Sequence, residues 1–127
     1  MEKRVLFVDD EESIREMLKK AFITNGYSVA LAESAEEALD IMKNEKFPLM
    51  FLDLNLPGMD GIELCRIARK DNPVALIYAV TGYASLFELA DCREAGFDDY
   101  FKKPVDLASL LKSAALAFEK IDRWKKK

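Results

Sequence analysis

The chain has 127 residues, one domain's worth of polymer, half of them apolar and a third charged. Its 23 acidic and 19 basic residues leave a net charge of −4, so no global basic field attracts nucleic acid or anionic lipid. Histidine is absent, which excludes imidazole metal ligands, Ser-His and Cys-His nucleophile pairs, and any phosphorylation of the chain's own histidine.

Short apolar runs alternate with amphipathic segments. Val5 to Val8 reads as a first strand, and Ile14, Met17, Leu18, Ala21 and Phe22 follow at the spacing of one helix face. Asn25-Gly26 ends that helix, and Tyr27 to Leu31 makes a second strand. Ser34 and Glu37 form a capping box for a helix with Ala35, Ala38, Leu39 and Met42 on one side. Pro48 to Leu52 is a third strand. Pro57-Gly58 is turn chemistry, and Asp60 with Glu63 suggests a second box, opening a helix that carries Leu64, Ile67 and Ala68. Leu76 to Val80 is a fourth strand. Ser85 and Glu88 make a third box on a helix with Leu86, Leu89 and Ala90, and Gly96 stops it. Phe97 to Phe101 is a shorter fifth strand. Asp106 caps a last helix bearing Leu107, Leu110, Leu111, Ala114, Phe118 and Ile121, which ends in the basic run Lys125-Lys126-Lys127.

Cys65 and Cys92 belong to no CxxC pair and read as buried free thiols. The first apolar run is too short for a signal sequence or a membrane span, so a cytoplasmic protein is expected.

Five strand-helix units in series require parallel strands joined by right-handed helical crossovers. The first, third and fourth strands are nearly continuous apolar runs, as a sheet covered on both faces demands. The expectation is an α/β three-layer sandwich, whose ligands bind beyond the carboxyl ends of the strands where strand order reverses.

Those positions are Asp9, Asp10 and Glu11 after the first strand, Asp53 after the third, Thr81 after the fourth and Lys103 shortly after the fifth. Single Asp and Thr residues are common in loops and caps, but here every strand that could reach the rim delivers a polar group. Three clustered carboxylates repel one another unless a cation or a lysine offsets them. An all-oxygen donor set without histidine or thiolate selects a hard cation, and Mg²⁺, which keeps waters and takes phosphate oxygens, fits best. A cation that polarises a phosphoryl group, Lys103 to pair with its oxygens, Thr81 as a hydroxyl donor and one attacking aspartate suffice to form an aspartyl phosphate.

The segment Asp53-Leu-Asn-Leu-Pro-Gly-Met-Asp-Gly61 resembles a response-regulator receiver domain of two-component signalling, of the chemotaxis-regulator type. So do Val8-Asp9-Asp10, Val80-Thr81-Gly82 and Tyr100-Phe101-Lys102-Lys103-Pro104. The likeness covers essentially the whole chain, with a receiver domain over residues 1–122 and a basic tail or linker start over 123–127. It implies a flavodoxin-like sheet of order 2-1-3-4-5 flanked by five helices. It also implies that Asp53 accepts a phosphoryl group from the phosphohistidine of a sensor histidine kinase or a phosphotransfer protein. Mg²⁺ would be held by Asp10, Asp53 and the main-chain carbonyl of Asn55, with Asp9 acting through a water. Thr81 would swing toward the phosphoryl group, Lys103 would hold one of its oxygens, and Tyr100 would turn inward on activation. The Lys103-Pro104 bond is often cis in this family, in keeping with the near confinement of cis peptides to X-Pro. Asn55 and Tyr83 would tune hydrolysis of the phosphoryl group, a bulky Tyr83 slowing it.

The resemblance makes the chain a signalling switch that catalyses only its own phosphorylation and slow dephosphorylation. The face of helix four, strand five and helix five would meet a partner or a second copy. Neither direct nucleic-acid binding nor a membrane is expected. Rival readings are weaker. Asp53-Leu-Asn also looks like part of a haloacid-dehalogenase nucleophile motif, but its second acid is missing. An FMN-binding flavodoxin module would place its phosphate against Asp9-Asp10-Glu11. A pseudo-receiver would not keep every chemical position filled. No helix-turn-helix, ATPase or cyclase motif follows residue 121, so the expectation is a stand-alone receiver or the piece before an output domain.

Overall fold

Strand pairing throughout the sheet is parallel, and helices make every return. The computed structural model describes residues 2–82 and 86–125. The strands are β1 (Arg4–Val8), β2 (Ser28–Ala32), β3 (Leu49–Asp53), β4 (Leu76–Thr81) and β5 (Asp99–Lys102). They alternate with α1 (Glu12–Thr24), α2 (Ala35–Asn44), α3 (Gly61–Asp71), α4 (Leu86–Ala95) and α5 (Leu107–Lys125). Strand order is β2-β1-β3-β4-β5, the flavodoxin-like arrangement expected from the sequence.

Strand periodicity divides the core in two. Val5, Phe7, Leu49 and Phe51 face α1 and α5, where they meet Leu18, Phe22, Leu110, Ala114 and Phe118. Leu6, Val8, Met50, Leu52 and Ile77 face the other way, onto Ala35 and Ala38 of α2 and Leu64, Cys65 and Ala68 of α3. Phe7 stacks on Phe51 with centroids 5.1 Å apart, and Phe22 packs edge-on to Phe7 at 4.7 Å, geometries that add about 0.5–1.5 kcal/mol per pair beyond area burial. β3 is buried along its full length, whereas the edge strands β2 and β5 are mostly exposed or half-buried.

Several local readings shift. β5 begins at Asp99 rather than Phe97, because Gly96 takes φ +110° and Asp98 caps the β4 edge by accepting from the Ile77 amide at 2.9 Å. On α4 the buried side chains among the described residues are Cys92 and Ala95, while Ala90 is exposed; apolar residues lie around this helix, so spacing does not single out its inner face. The caps are one-sided. Ser34 accepts from the Glu37 amide and Asp60 from the Glu63 amide, but Glu37 turns to the Glu33 amide and Glu63 to Arg66. Asp106 accepts from the Ala108 amide and the Ser109 hydroxyl at the start of α5. Both cysteines are free and buried, as expected, and burial pushes the Cys65 thiol up to about 12, making it inert at neutral pH. Ser85 and the tail residues Lys126 and Lys127 lie outside the described residues.

Candidate functional site

The order β2-β1-β3 reverses direction at β1, so a crevice opens beyond the carboxyl ends of β1 and β3. Register fills it. Val8 pairs with Leu52, Asp53 with Val80 and Thr81 with Lys102, which brings the residues following β1, β3, β4 and β5 to one rim. Asp9, Asp53 and Thr81 are 3%, 3% and 1% exposed, the only buried polar side chains among the described residues, while Asp10 is exposed.

Lys103 holds the two buried carboxylates together. Its Nζ stands 3.0 Å from Asp9 Oδ2 and 3.2 Å from Asp53 Oδ2, with Glu11 Oε1 at 3.6 Å. The other oxygen of each aspartate accepts from the main chain two residues on: Asp9 Oδ1 from the Glu11 amide at 2.9 Å and Asp53 Oδ1 from the Asn55 amide at 3.0 Å. Asn55 Nδ2 approaches Thr81 Oγ1 at 3.5 Å, and the Lys103 amide donates to the Thr81 carbonyl at 2.8 Å. The Lys103-Pro104 peptide is cis.

Burial raises the Asp53 carboxyl above its ordinary range, against the Asn55 amide and the Lys103 charge, which pull it down. Burial acts to lower Lys103, but its hydrogen bond to Asp9 and the charge of Asp53 outweigh that and raise it. The lysine is therefore charged at neutral pH, whereas burial makes the charged form of Asp53 costlier in the folded chain than in water.

Asp9, Asp10 and Asp53 offer carboxylate oxygens within 4.8 Å of one another. Opposite ligands on a Mg²⁺ shell of radius near 2.1 Å are about 4.2 Å apart, so this all-oxygen cluster has the chemistry and spread that suit such an ion, with room for a water link. Beside it a groove of about 470 Å³ is lined by Asp10, Leu54, Asn55, Pro57, Asp60 and Glu88.

A scan against family models matches residues 5–115 to the response regulator receiver domain. The chain belongs to the response regulator receiver domain family. As a receiver it is a two-component signalling switch, and histidine kinases phosphorylate such domains. It is 40% identical over 111 residues to the response regulator MprA of Mycobacterium sp. (strain KMS), covering 87% of this chain and 48% of that protein. The receiver thus spans about half the length of the curated relatives it matches. A CheY-like response regulator receiver domain protein from Methanospirillum hungatei JF-1 superposes with a TM-score of 0.90 at 39% identity, covering 99% of this chain and 98% of that one. The BeF3-activated DrrB receiver domain gives 0.85 at 27% identity, covering 94% and 99%.

The receiver's structure brings Asp9, Asp10, Asp53, Asn55, Thr81 and Lys103 together. Tyr100, at 43% exposure on β5, stands apart from them beside a groove lined by Leu89, Ala90, Cys92, Arg93 and Phe97. Tyr83 lies outside the described residues. Glu11, which the sequence places on the rim, is a further carboxylate on Lys103. Two contributors escape sequence reasoning. Gly61 lies against the end of β3, where an added Cβ would stand 2.1 Å from the Asp53 carbonyl oxygen. Glu36 of α2 accepts from the Met59 amide in the loop after Asp53. Only Gly61 leaves a signal, a glycine at the first position of a helix beside a capping aspartate.

Proposed function

We propose that this receiver accepts a phosphoryl group on Asp53 from the phosphohistidine of a sensor kinase or a phosphotransfer protein, and that the phosphorylated form repacks its α4, β5 and α5 face. The observation that carries the reading is the environment of Asp53: a buried carboxylate, 3.2 Å from a lysine ammonium and beside two further aspartates, at the carboxyl end of the central strand.

Asp10, Asp53 and the Asn55 main-chain carbonyl would hold Mg²⁺, with Asp9 joined through water. Bound there, Mg²⁺ would neutralise the carboxylates and polarise a phosphoryl oxygen. A carboxylate oxygen of Asp53 forms the new O–P bond as the donor's N–P bond breaks, and the imidazole nitrogen keeps the electron pair. Lys103 already lies beside Asp53 and pairs with an oxygen of the transferred group. Thr81 exchanges its contact with Asn55 for a charge-assisted hydrogen bond to that group, worth about 1.5–3 kcal/mol. A bond of that size inverts a two-state equilibrium separated by a few kcal/mol. The exposed Tyr100 ring beside its apolar groove is the side chain that moves, turning inward when Thr81 is drawn toward Asp53. Asn55, beside Asp53 and Thr81, and Tyr83 set the lifetime of the acyl phosphate. The receiver is cytoplasmic in this reading, and no described helix is long and apolar enough to cross a membrane.

Incubation with acetyl phosphate and Mg²⁺, followed by intact-mass analysis, tests the proposal. One added phosphoryl group supports it. No mass gain points to a pseudo-receiver, and turnover of diverse phosphomonoesters points to a hydrolase.

A further inference from the structure

Arg15 is a half-buried cation outside the set just described, and its partners form a chain that ends at the acidic cluster. Its side chain is only 15% exposed; Nη1 donates to the Asp9 main-chain carbonyl at 2.8 Å, and Nη2 pairs with Glu33 Oε2 at 3.7 Å. The Glu33 main chain is held in turn, its amide donating to Glu37 Oε1 in the first turn of α2 at 3.2 Å.

The consequence follows from peptide planarity. The Asp9 carbonyl belongs to the rigid unit that joins Asp9 to Asp10, so a donor that pins this oxygen also fixes where the Asp10 Cα stands. The rest of Asp9 is tied as well: its amide donates to the Ala32 carbonyl at 3.1 Å, and its carboxylate is held by the Glu11 amide and Lys103. Asp10 has none of this support. Its side chain is exposed, and among the described residues nothing hydrogen-bonds its carboxylate, so its place within 4.8 Å of Asp9 and Asp53 depends on the backbone alone.

We propose that Arg15, braced by Glu33, is a positioning residue that presents the Asp10 carboxylate to Mg²⁺ by locking the peptide between Asp9 and Asp10. The inference rests on the magnesium reading of the site. Partners that orient metal ligands from outside typically change metal affinity by about 10–100-fold when removed, and Arg15 is expected to act in that range. Lysine cannot reproduce the fork that spans a carbonyl and a carboxylate together, so Arg15→Lys falls between wild type and Arg15→Met.

Isothermal titration of the whole chain with MgCl₂ reads this directly, alongside thermal midpoints in EDTA. Arg15→Met is expected to raise the Mg²⁺ Kd about tenfold or more, Arg15→Lys by less, and Glu33→Gln in the same direction. If Arg15 only fastens α1 to the sheet, the EDTA midpoint falls while the Kd stays at the wild-type value, and the inference is overturned. Should Arg15→Met fail to fold, Arg15→Lys and Glu33→Gln decide: weakened binding at an unchanged midpoint supports the proposal, and wild-type affinity in both overturns it. A wild-type chain that binds no Mg²⁺ overturns the site reading together with this inference.

Discussion

Lys103 Nζ lies between two buried carboxylates, 3.0 Å from Asp9 and 3.2 Å from Asp53. Its removal unpairs both. Lys103→Met is expected to cost about 3 kcal/mol in EDTA, the low end for breaking a buried ion pair. Mg²⁺ should restore more stability to the variant than to wild type, because another cation then offsets the same carboxylates. Urea unfolding with and without Mg²⁺ measures both effects.

The raised carboxyl of Asp53 sets a pH dependence of known sign. A folded-state value above the unfolded one means the folded chain binds the proton more tightly, so stability falls as pH rises from the ordinary carboxylate range through the raised value. Asp53→Asn keeps an acceptor for the Asn55 amide without the charge. It is expected to unfold at a higher temperature than wild type at pH 7 in EDTA, and the gap should close below the ordinary aspartate range. A variant less stable than wild type at pH 7 would show that the Lys103 pair outweighs burial.

Gly61 allows α3 to begin against the acceptor strand. A methyl group there would overlap the Asp53 carbonyl, and its amide donates to the Leu54 carbonyl at 3.1 Å, so the helix cannot simply move away. Gly61→Ala is expected to lose about 1–3 kcal/mol, the usual cost of overpacking. It should also slow phosphorylation, because the strain falls on Asp53 itself. Chemical denaturation and the rate of labelling test the two parts.

Arg69 provides the contrast at the opposite end of the sheet. Its guanidinium donates to the main-chain carbonyls of Pro73, Ala75 and Gly96 and pairs with Asp98 at 2.7 Å, joining the end of α3 to the turns before β4 and β5. Arg69→Met should destabilise by about 2–3 kcal/mol, the scale of losing charge-assisted bonds and stranding their acceptors. Labelling of the folded fraction should match wild type. A labelling defect in correctly folded Arg69→Met would show that the two ends are coupled.

Strand and helix identities were legible because apolar runs and 3.6-residue spacing reflect burial, which the sheet and its covering layers enforce. Asp9, Asp10, Asp53, Thr81 and Lys103 were legible as a group because parallel topology sends every strand's carboxyl end to one rim. Arg15 and Glu36 were not, since each acts through its side chain on a main-chain group of another segment, and no apolar spacing or cap pattern records such a contact. The inner face of α4 was hidden for a different reason: Leu89, Ala90, Cys92 and Ala95 lie around its circumference, and one side is selected by the packing of Cys92 with Leu54 and Ala79 and the burial of Ala95 in the core.

The most direct test is the location of the label. After incubation with ³²P-acetyl phosphate and Mg²⁺, peptide mapping should place a hydroxylamine-labile label on the segment containing Asp53, absent in EDTA and absent in Asp53→Asn. Label that persists in Asp53→Asn, or that maps to a hydroxyl side chain elsewhere, would contradict the assignment of Asp53 as the acceptor.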